Sequence, residues 1–291
     1  MGTQALPSSQ SLVLDAVRKV TTIATLPEVT SRIIKTVEDP RSTAAQLHKI
    51  VAHDPALVTR ILKVVNSAFY GLPGQIGSIE RAIVLLGLNA VKNIAVAASL
   101  GQLFRGTTLC EGFVAKDLWT HCVAVGVTAR ELAKRMKSSL ADEAFLAGMI
   151  HDVGLLVSMQ LWPEKLRQVC ETAKAGRQDF CSVERAIYGV DHQQLGMGLA
   201  ELWKFPRSCQ LVAGFHHGPQ VLADDNRLLV TLVYAADTIC CRNTAHGFNL
   251  TCGTQPLDHR LLNASGVDPT MVEEVAQNIE PMIAAAAASM G

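Results

Sequence analysis

From about residue 13 to the end of this 291-residue chain, apolar side chains recur three and four positions apart with few interruptions. That spacing constrains the fold more than any other feature, because it belongs to helices that bury one face. Val29, Ile33, Ile34 and Val37 share a face of a helix that Leu26-Pro27 opens and Asp39-Pro40 stops. Ser42 or Thr43 can cap the next helix, which runs through Leu47, Ile50 and Val51. Asp54-Pro55 starts a third with proline at its first position, where the missing N–H is no loss. Ser78 caps a further helix that Gly87 allows to bend. Helices are then expected at about 112–137, 141–159, 164–175, 180–189, 191–203, 206–216 and 227–242, with a last one opened by Asp268-Pro269. No alternating run is long enough to anchor a sheet, so the fold class is all-α.

Composition agrees with that reading and narrows the function classes. Hydrophobic residues make up 49% of the chain and aromatics only 5%, a balance that favours Ala-, Leu- and Val-rich helices over strands. Lys+Arg and Asp+Glu are both 26, so no global field draws the chain toward nucleic acid or an anionic membrane. No apolar run reaches the roughly 20 residues that span a bilayer, and the N-terminus lacks a signal-peptide pattern. A cytoplasmic protein is therefore expected. The eight cysteines form no CxxC pair, which leaves them as reduced, mostly buried thiols.

The organisation read from the pattern is an N-terminal tail over 1–17, a helical half over 18–106, a second half over 107–243 and a C-terminal extension over 244–291. The Arg105 to Glu111 stretch is the seam between the halves.

The second half carries the chemistry. Asp117 and His121 lie four apart, on one face of a helix. His151-Asp152 ends the apolar run Ala144 to Ile150, His192 follows Asp191 at a helix start, and His216-His217 follows Ala213-Gly214-Phe215. Asp237 sits inside the apolar Val233 to Ala236 context. Singly, each is accounted for by a structural hydrogen bond or a helix cap. Together, imidazoles and carboxylates in apolar surroundings are costly unless paired or bound to metal, and the mixed set suits iron, manganese or zinc. His48, His53, His246 and His259 lie in polar contexts and are read as surface or supporting residues.

His121, His151-Asp152 and Asp237 together resemble the H…HD…D signature of the HD superfamily of metal-dependent phosphohydrolases. His192 and His216-His217 resemble the extra ligands of its HD-GYP branch, which hydrolyses cyclic diguanylate. The N-terminal half resembles the HDOD domain, the HD-related output domain of bacteria. That resemblance rests on Ile50-Val51-Ala52-His53-Asp54-Pro55-Ala56-Leu57 and on Arg60 through Gly71, which includes Asn66-Ser67-Ala68-Phe69-Tyr70-Gly71.

The resemblance implies an HD-type helical bundle preceded by an N-terminal helical subdomain, with two divalent ions, iron or manganese ahead of zinc or nickel. His121, His151, Asp152 and Asp237 would surround one ion. His192, His216 and His217 would complete a second across Asp152, and Asp117 would add a carboxylate. It also implies a signalling module with a protein partner and weak or no catalysis. The alternative is a phosphohydrolase acting on a nucleotide or cyclic dinucleotide.

Two departures favour the first. The lysine of HDxGK is Leu155 here, which offers no charge to a phosphoryl group. Gly218-Pro219-Gln220 stands where a GYP loop would follow. Asn66-Ser67 and Phe69-Tyr70 remain readable either as local structure or as a partner-facing or interdomain surface.

Overall fold

The computed structural model describes residues 9–20, 28–39, 41–104, 108–110, 113–176, 178–252 and 255–290. The expected signals at Leu26-Pro27 and Pro40, and much of the Arg105 to Glu111 seam, lie outside those residues. The N-terminal half contains α1 (Ser9–Lys19), α2 (Glu28–Glu38), α3 (Ala44–Val51), α4 (Pro55–Val65), α5 (Ile79–Leu86) and α6 (Leu88–Leu100). A two-stranded antiparallel ribbon, Thr108–Cys110 with Phe113–Val114, leads into α7 (Ala115–Arg135). Then come α8 (Ala141–Ile150), α9 (Val153–Leu161), α10 (Pro163–Gly176), α11 (Phe180–Tyr188), α12 (His192–Leu202), α13 (Arg207–Phe215) and α14 (Asp224–Cys241). The extension adds α15 (His259–Ala264), α16 (Pro269–Asn278) and α17 (Glu280–Met290). The fold is all-α; the ribbon is too short to organise a core.

Local chemistry sets these boundaries. Thr43 and Gln46 form a reciprocal capping box at α3, and Asp54 accepts the Leu57 N–H at 2.9 Å at α4. Gly87, at φ +89°, ends α5 and opens α6, a conformation that a side chain would strain. The expected frayed tail is instead partly helical: Ala16 and Val17 of α1 are buried, with the helix lying across α12. The helix expected at 141–159 is broken at His151-Asp152 into α8 and α9. Ala141–Leu161 is together long and apolar enough to cross a bilayer by composition, beyond what the sequence reading allowed. Yet 83% of its apolar window is buried within the protein.

One continuous core runs through both halves, with α7 at its centre. Across their junction the Phe69 and Phe145 rings lie 5.5 Å apart, and the Arg130 guanidinium covers Phe69 at 4.9 Å and Tyr70 at 4.5 Å. Phe69 and Tyr70 therefore face the other half of the molecule. Asn66 is a local clamp: its amide donates to the Ile76 carbonyl at 2.9 Å and accepts the Ile76 N–H at 2.7 Å.

Two glycine contacts bring the chemistry-bearing helices together. Where α8 crosses α7, a Cβ on Gly148 would lie 2.7 Å from the Gly126 Cα. Where α9 crosses α12, a Cβ on Gly154 would lie 1.9 Å from the His192 carbonyl oxygen. Only hydrogen at these positions permits such approach.

Candidate metal centre

Five structural positions converge at the middle of the second half. His121 projects from the second turn of α7, and His151-Asp152 forms the break between α8 and α9. His192 is the first residue of α12, directly after its cap Asp191, whose carboxylate accepts the Gln194 N–H at 3.0 Å. His216-His217 ends α13, and Asp237 lies within α14. All of these side chains are buried except that of His217, which keeps 15% of its surface exposed.

Asp152 turns one oxygen to each side. Its Oδ2 lies 3.3 Å from His151 Nε2 and 4.0 Å from His121 Nε2, whereas Oδ1 lies 3.4 Å from His192 Nε2 and 3.3 Å from His216 Nε2. Asp237 Oδ1 lies 3.0 Å from His121 Nε2 and 3.9 Å from His151 Nε2. Two donor groups result, His121–His151–Asp237 and Asp152–His192–His216–His217, each with its ligand atoms within 4.8 Å of one another. Asp117 stays outside both. It occupies the first turn of α7, where a side chain leans back toward the helix start, and it is exposed. What Asp117 contributes is its carbonyl, which accepts the Phe248 N–H at 3.2 Å.

The donors are oriented from behind. His151 Nδ1 pairs with the Gly148 carbonyl at 2.7 Å, and His216 Nδ1 with the Val212 carbonyl at 3.1 Å. Glu184, on α11, accepts from the His192 backbone N–H at 2.9 Å and sits 2.6 Å from its Nδ1. With protons held at Nδ1, the Nε2 lone pairs point inward. His192 Nε2 stands 3.3 Å from His216 Nε2 and 3.1 Å from His217 Nε2. Facing lone pairs repel unless a proton or a cation lies between them. His151 Nε2 and both Asp152 oxygens, all buried, have no hydrogen-bond partner among the described residues. Unpartnered buried groups of this kind are expensive, and a divalent cation satisfies them together. The donor set fits a metal.

The electrostatics follow the same geometry. Burial alone would raise the Asp152 carboxyl, but His151, His216 and His192 outweigh it and hold the group well below the usual carboxylate range. Asp237 is likewise held low against burial by His121 and His151. Burial pulls His151 down, yet Asp152 beside it pushes the imidazole up to about 8. His192 is raised against burial by Glu184, whereas burial depresses His216 and, more strongly, His217.

Sequence reasoning missed three neighbours. Glu184 stands eight residues before His192, and no local pattern links the two. Cys252 lies in a polar loop, with its thiol 2.9 Å from Asp237 Oδ2. Cys241, whose thiol lies 3.4 Å from Asp237 Oδ1, carries a readable signal, since it follows Asp237 by one helical turn on α14.

Comparison with known proteins decides the family. Residues 23–219 match the HDOD domain. The chain belongs to the HDOD domain family. An uncharacterized protein of Treponema pallidum (strain Nichols) is 26% identical over 223 residues, covering 76% of this chain and 43% of its own length. This HDOD chain thus spans less than half of that curated relative. An HDOD domain protein of unknown function from Geobacter sulfurreducens superposes with a TM-score of 0.76 at 21% identity, covering 95% of this chain and 96% of that one. A candidate phosphohydrolase from Shewanella amazonensis SB2B gives 0.75 at 23% identity, with 97% and 98% covered. A candidate signal transduction protein from Marinobacter aquaeolei VT8 gives 0.76 at 24% identity, with 96% and 65% covered. These likenesses establish the shared helical fold.

Proposed function

We propose that this HDOD chain is a signalling module with weak or no hydrolytic activity, whose buried donor cluster holds two divalent ions and acts on a protein partner. The observation that carries the reading is enclosure. Among the described residues only His217 reaches from the cluster into a recess, lined also by Asp179, Tyr234, Thr238, Thr251, Cys252 and Gln255, whose volume is about 50 Å³. A nucleotide needs several times that space. Position 155 agrees, because Leu155 is fully buried in the core and presents nothing to a phosphate.

His121, His151 and Asp237 would hold one ion, and His192, His216 and His217 a second, with Asp152 serving both. Ions bound there supply concentrated positive charge and Lewis acidity. The chain's own groups do the rest: Glu184 and the two carbonyls fix the imidazole rings, and the packed helices exclude water. Ligands drawn from α7, α12, α13, α14 and the α8–α9 break make ion binding a contribution to folding free energy, and thus a means of setting the shape a partner meets.

A second reading, a phosphohydrolase acting on a nucleotide or cyclic dinucleotide, is favoured by one feature. A cavity of about 580 Å³ adjoins the recess and is lined by Lys174, Arg242 and Cys252. Metal content measured by mass spectrometry, together with phosphodiester hydrolysis assayed with manganese or iron supplied, separates the two. Bound metal without turnover is expected. Turnover that Asp152→Ala abolishes in a folded protein would establish the hydrolase instead.

A further inference from the structure

We propose that Cys252 supplies a thiolate ligand to a third cation position, which it shares with His217 and Asp237 at the outer edge of the cluster. The inference rests on the metal-centre reading and adds to it a ligand chemistry that the imidazole and carboxylate set lacks.

Asp237 divides its oxygens as Asp152 does. Oδ1 faces His121 and His151, whereas Oδ2 faces outward, 2.9 Å from the Cys252 thiol and 3.6 Å from His217 Nδ1. The Cys252 thiol and His217 Nδ1 are 3.8 Å apart, which closes a triangle of sulfur, nitrogen and oxygen. A tetrahedral ion with bonds of about 2.0–2.3 Å sets its ligand atoms roughly 3.3–3.8 Å apart. Two sides of the triangle already match, and the short S–O side is that of a thiol donating to a carboxylate. An entering cation replaces that proton.

His217 suits a position between ions. Its Nε2 faces His192 in the inner group while its Nδ1 faces this triangle, and it is the one partly exposed member. Both His217 and Cys252 line the small recess that leads to the larger cavity, so a fourth ligand can arrive from solvent. A sulfur, nitrogen and carboxylate set suits zinc, cobalt or ferrous iron over magnesium, calcium or manganese. Ligation releases two protons to water, the Cys252 thiol proton and, with both cations in place, the ring proton of His217, which leaves a thiolate and an imidazolate shared between the two positions.

Cobalt(II) titrated into the metal-stripped full chain tests this. The wild-type protein should gain a thiolate-to-cobalt charge-transfer band in the near ultraviolet. Cys252→Ser, which keeps a hydroxyl donor to Asp237, should lack the band, and its metal content should fall by about one ion per chain. Cys241→Ser should keep the band, because the Cys241 thiol lies 3.4 Å from the inner oxygen of Asp237 and a serine hydroxyl preserves its contact with Cys252. Matched circular dichroism of the stripped proteins controls for folding, with Cys252→Ala as a second variant. Cobalt bound without the band, or a band that follows Cys241, overturns the thiolate site while leaving the inner cluster standing. No cobalt bound by the wild type overturns both.

Discussion

Gly154 is where packing and site geometry depend on a single hydrogen atom. A Cβ there would meet the His192 carbonyl oxygen at 1.9 Å, the Gly196 N at 2.7 Å and the His192 carbonyl carbon at 2.8 Å, all of them backbone atoms that cannot rotate away. Restoring ordinary contact requires α9 and α12 to part by roughly 1.5 Å in an interior packed at crystal density. Overpacking of that size costs about 3 kcal/mol or more. For a chain of this length, Gly154→Ala should then lower the melting temperature by about 5 °C or more.

The same displacement carries His192 away from Asp152, whose 3.4 Å separation defines one side of the inner donor group. Gly154→Ala should therefore also lose metal. Differential scanning calorimetry and metal analysis on one preparation read both effects. Gly196→Ala is the control: its nearest neighbour would be the Gly154 N at 3.3 Å, which calls for only a small adjustment. A Gly154→Ala protein that melts within about 1 °C of wild type and keeps its metal would refute the reasoning, because helices in true contact cannot absorb a methyl group unnoticed.

Glu184→Leu removes the acceptor behind His192 and should weaken metal retention about 10–100-fold, read by competition with a chelator; unchanged competition would show that Glu184 does not orient the ring. Leu155→Lys places an ammonium in the core, so several kcal/mol of destabilisation and no new hydrolysis are expected. Turnover appearing in a stable Leu155→Lys protein would mean that the side chain faces the site after all. His151, pushed up to about 8, stabilises the metal-stripped protein fully below its unfolded value near 6.5 and loses that contribution, about 2 kcal/mol, as pH rises through about 8. Metal binding needs the unprotonated ring and strengthens over the same window. The melting-temperature gap between loaded and stripped protein should therefore widen from pH 6 to pH 9, and a gap that narrows contradicts the assignment of His151 as a ligand.

How far the sequence could be read follows from the range of the forces involved. Helix starts at Thr43, Asp54, Ser78 and Asp191 were legible because capping is decided within four residues. The break at His151-Asp152 was not, since Ala144 to Val157 is apolar on nearly every side, no proline interrupts it, and Asp152, at the start of α9, makes no side-chain capping bond. Just after the break α12 approaches Gly154, a contact made far along the chain. The α1 helix reads as tail because its apolar face is short, and its partner surface is α12, where Val13 would lie 2.6 Å from a Cβ on Gly198. Asp117 shares a helix face with His121 in projection, but its place in the first turn of α7 turns it to solvent. Glu184 and Cys252 left no local trace, because their proximity to the cluster exists only once α11 and the loop after α14 have docked.

A catalytic centre that turns over a charged substrate needs an open coordination position and a route to it, whereas a structural centre is closed by protein on every side. Here six of the seven clustered imidazoles and carboxylates are fully buried, and His217 alone reaches a small recess that adjoins the larger cavity. The unpartnered oxygens of Asp152 make the ion-free arrangement costly. Ions filling such a site would draw ligands from α7, α12, α13, α14 and the α8–α9 break, and would so hold these elements together. α7 also packs against α16 and α17, and Phe69 and Tyr70 rest on Arg130 of the same helix, so this one element links the donor cluster to the N-terminal half and to the C-terminal extension.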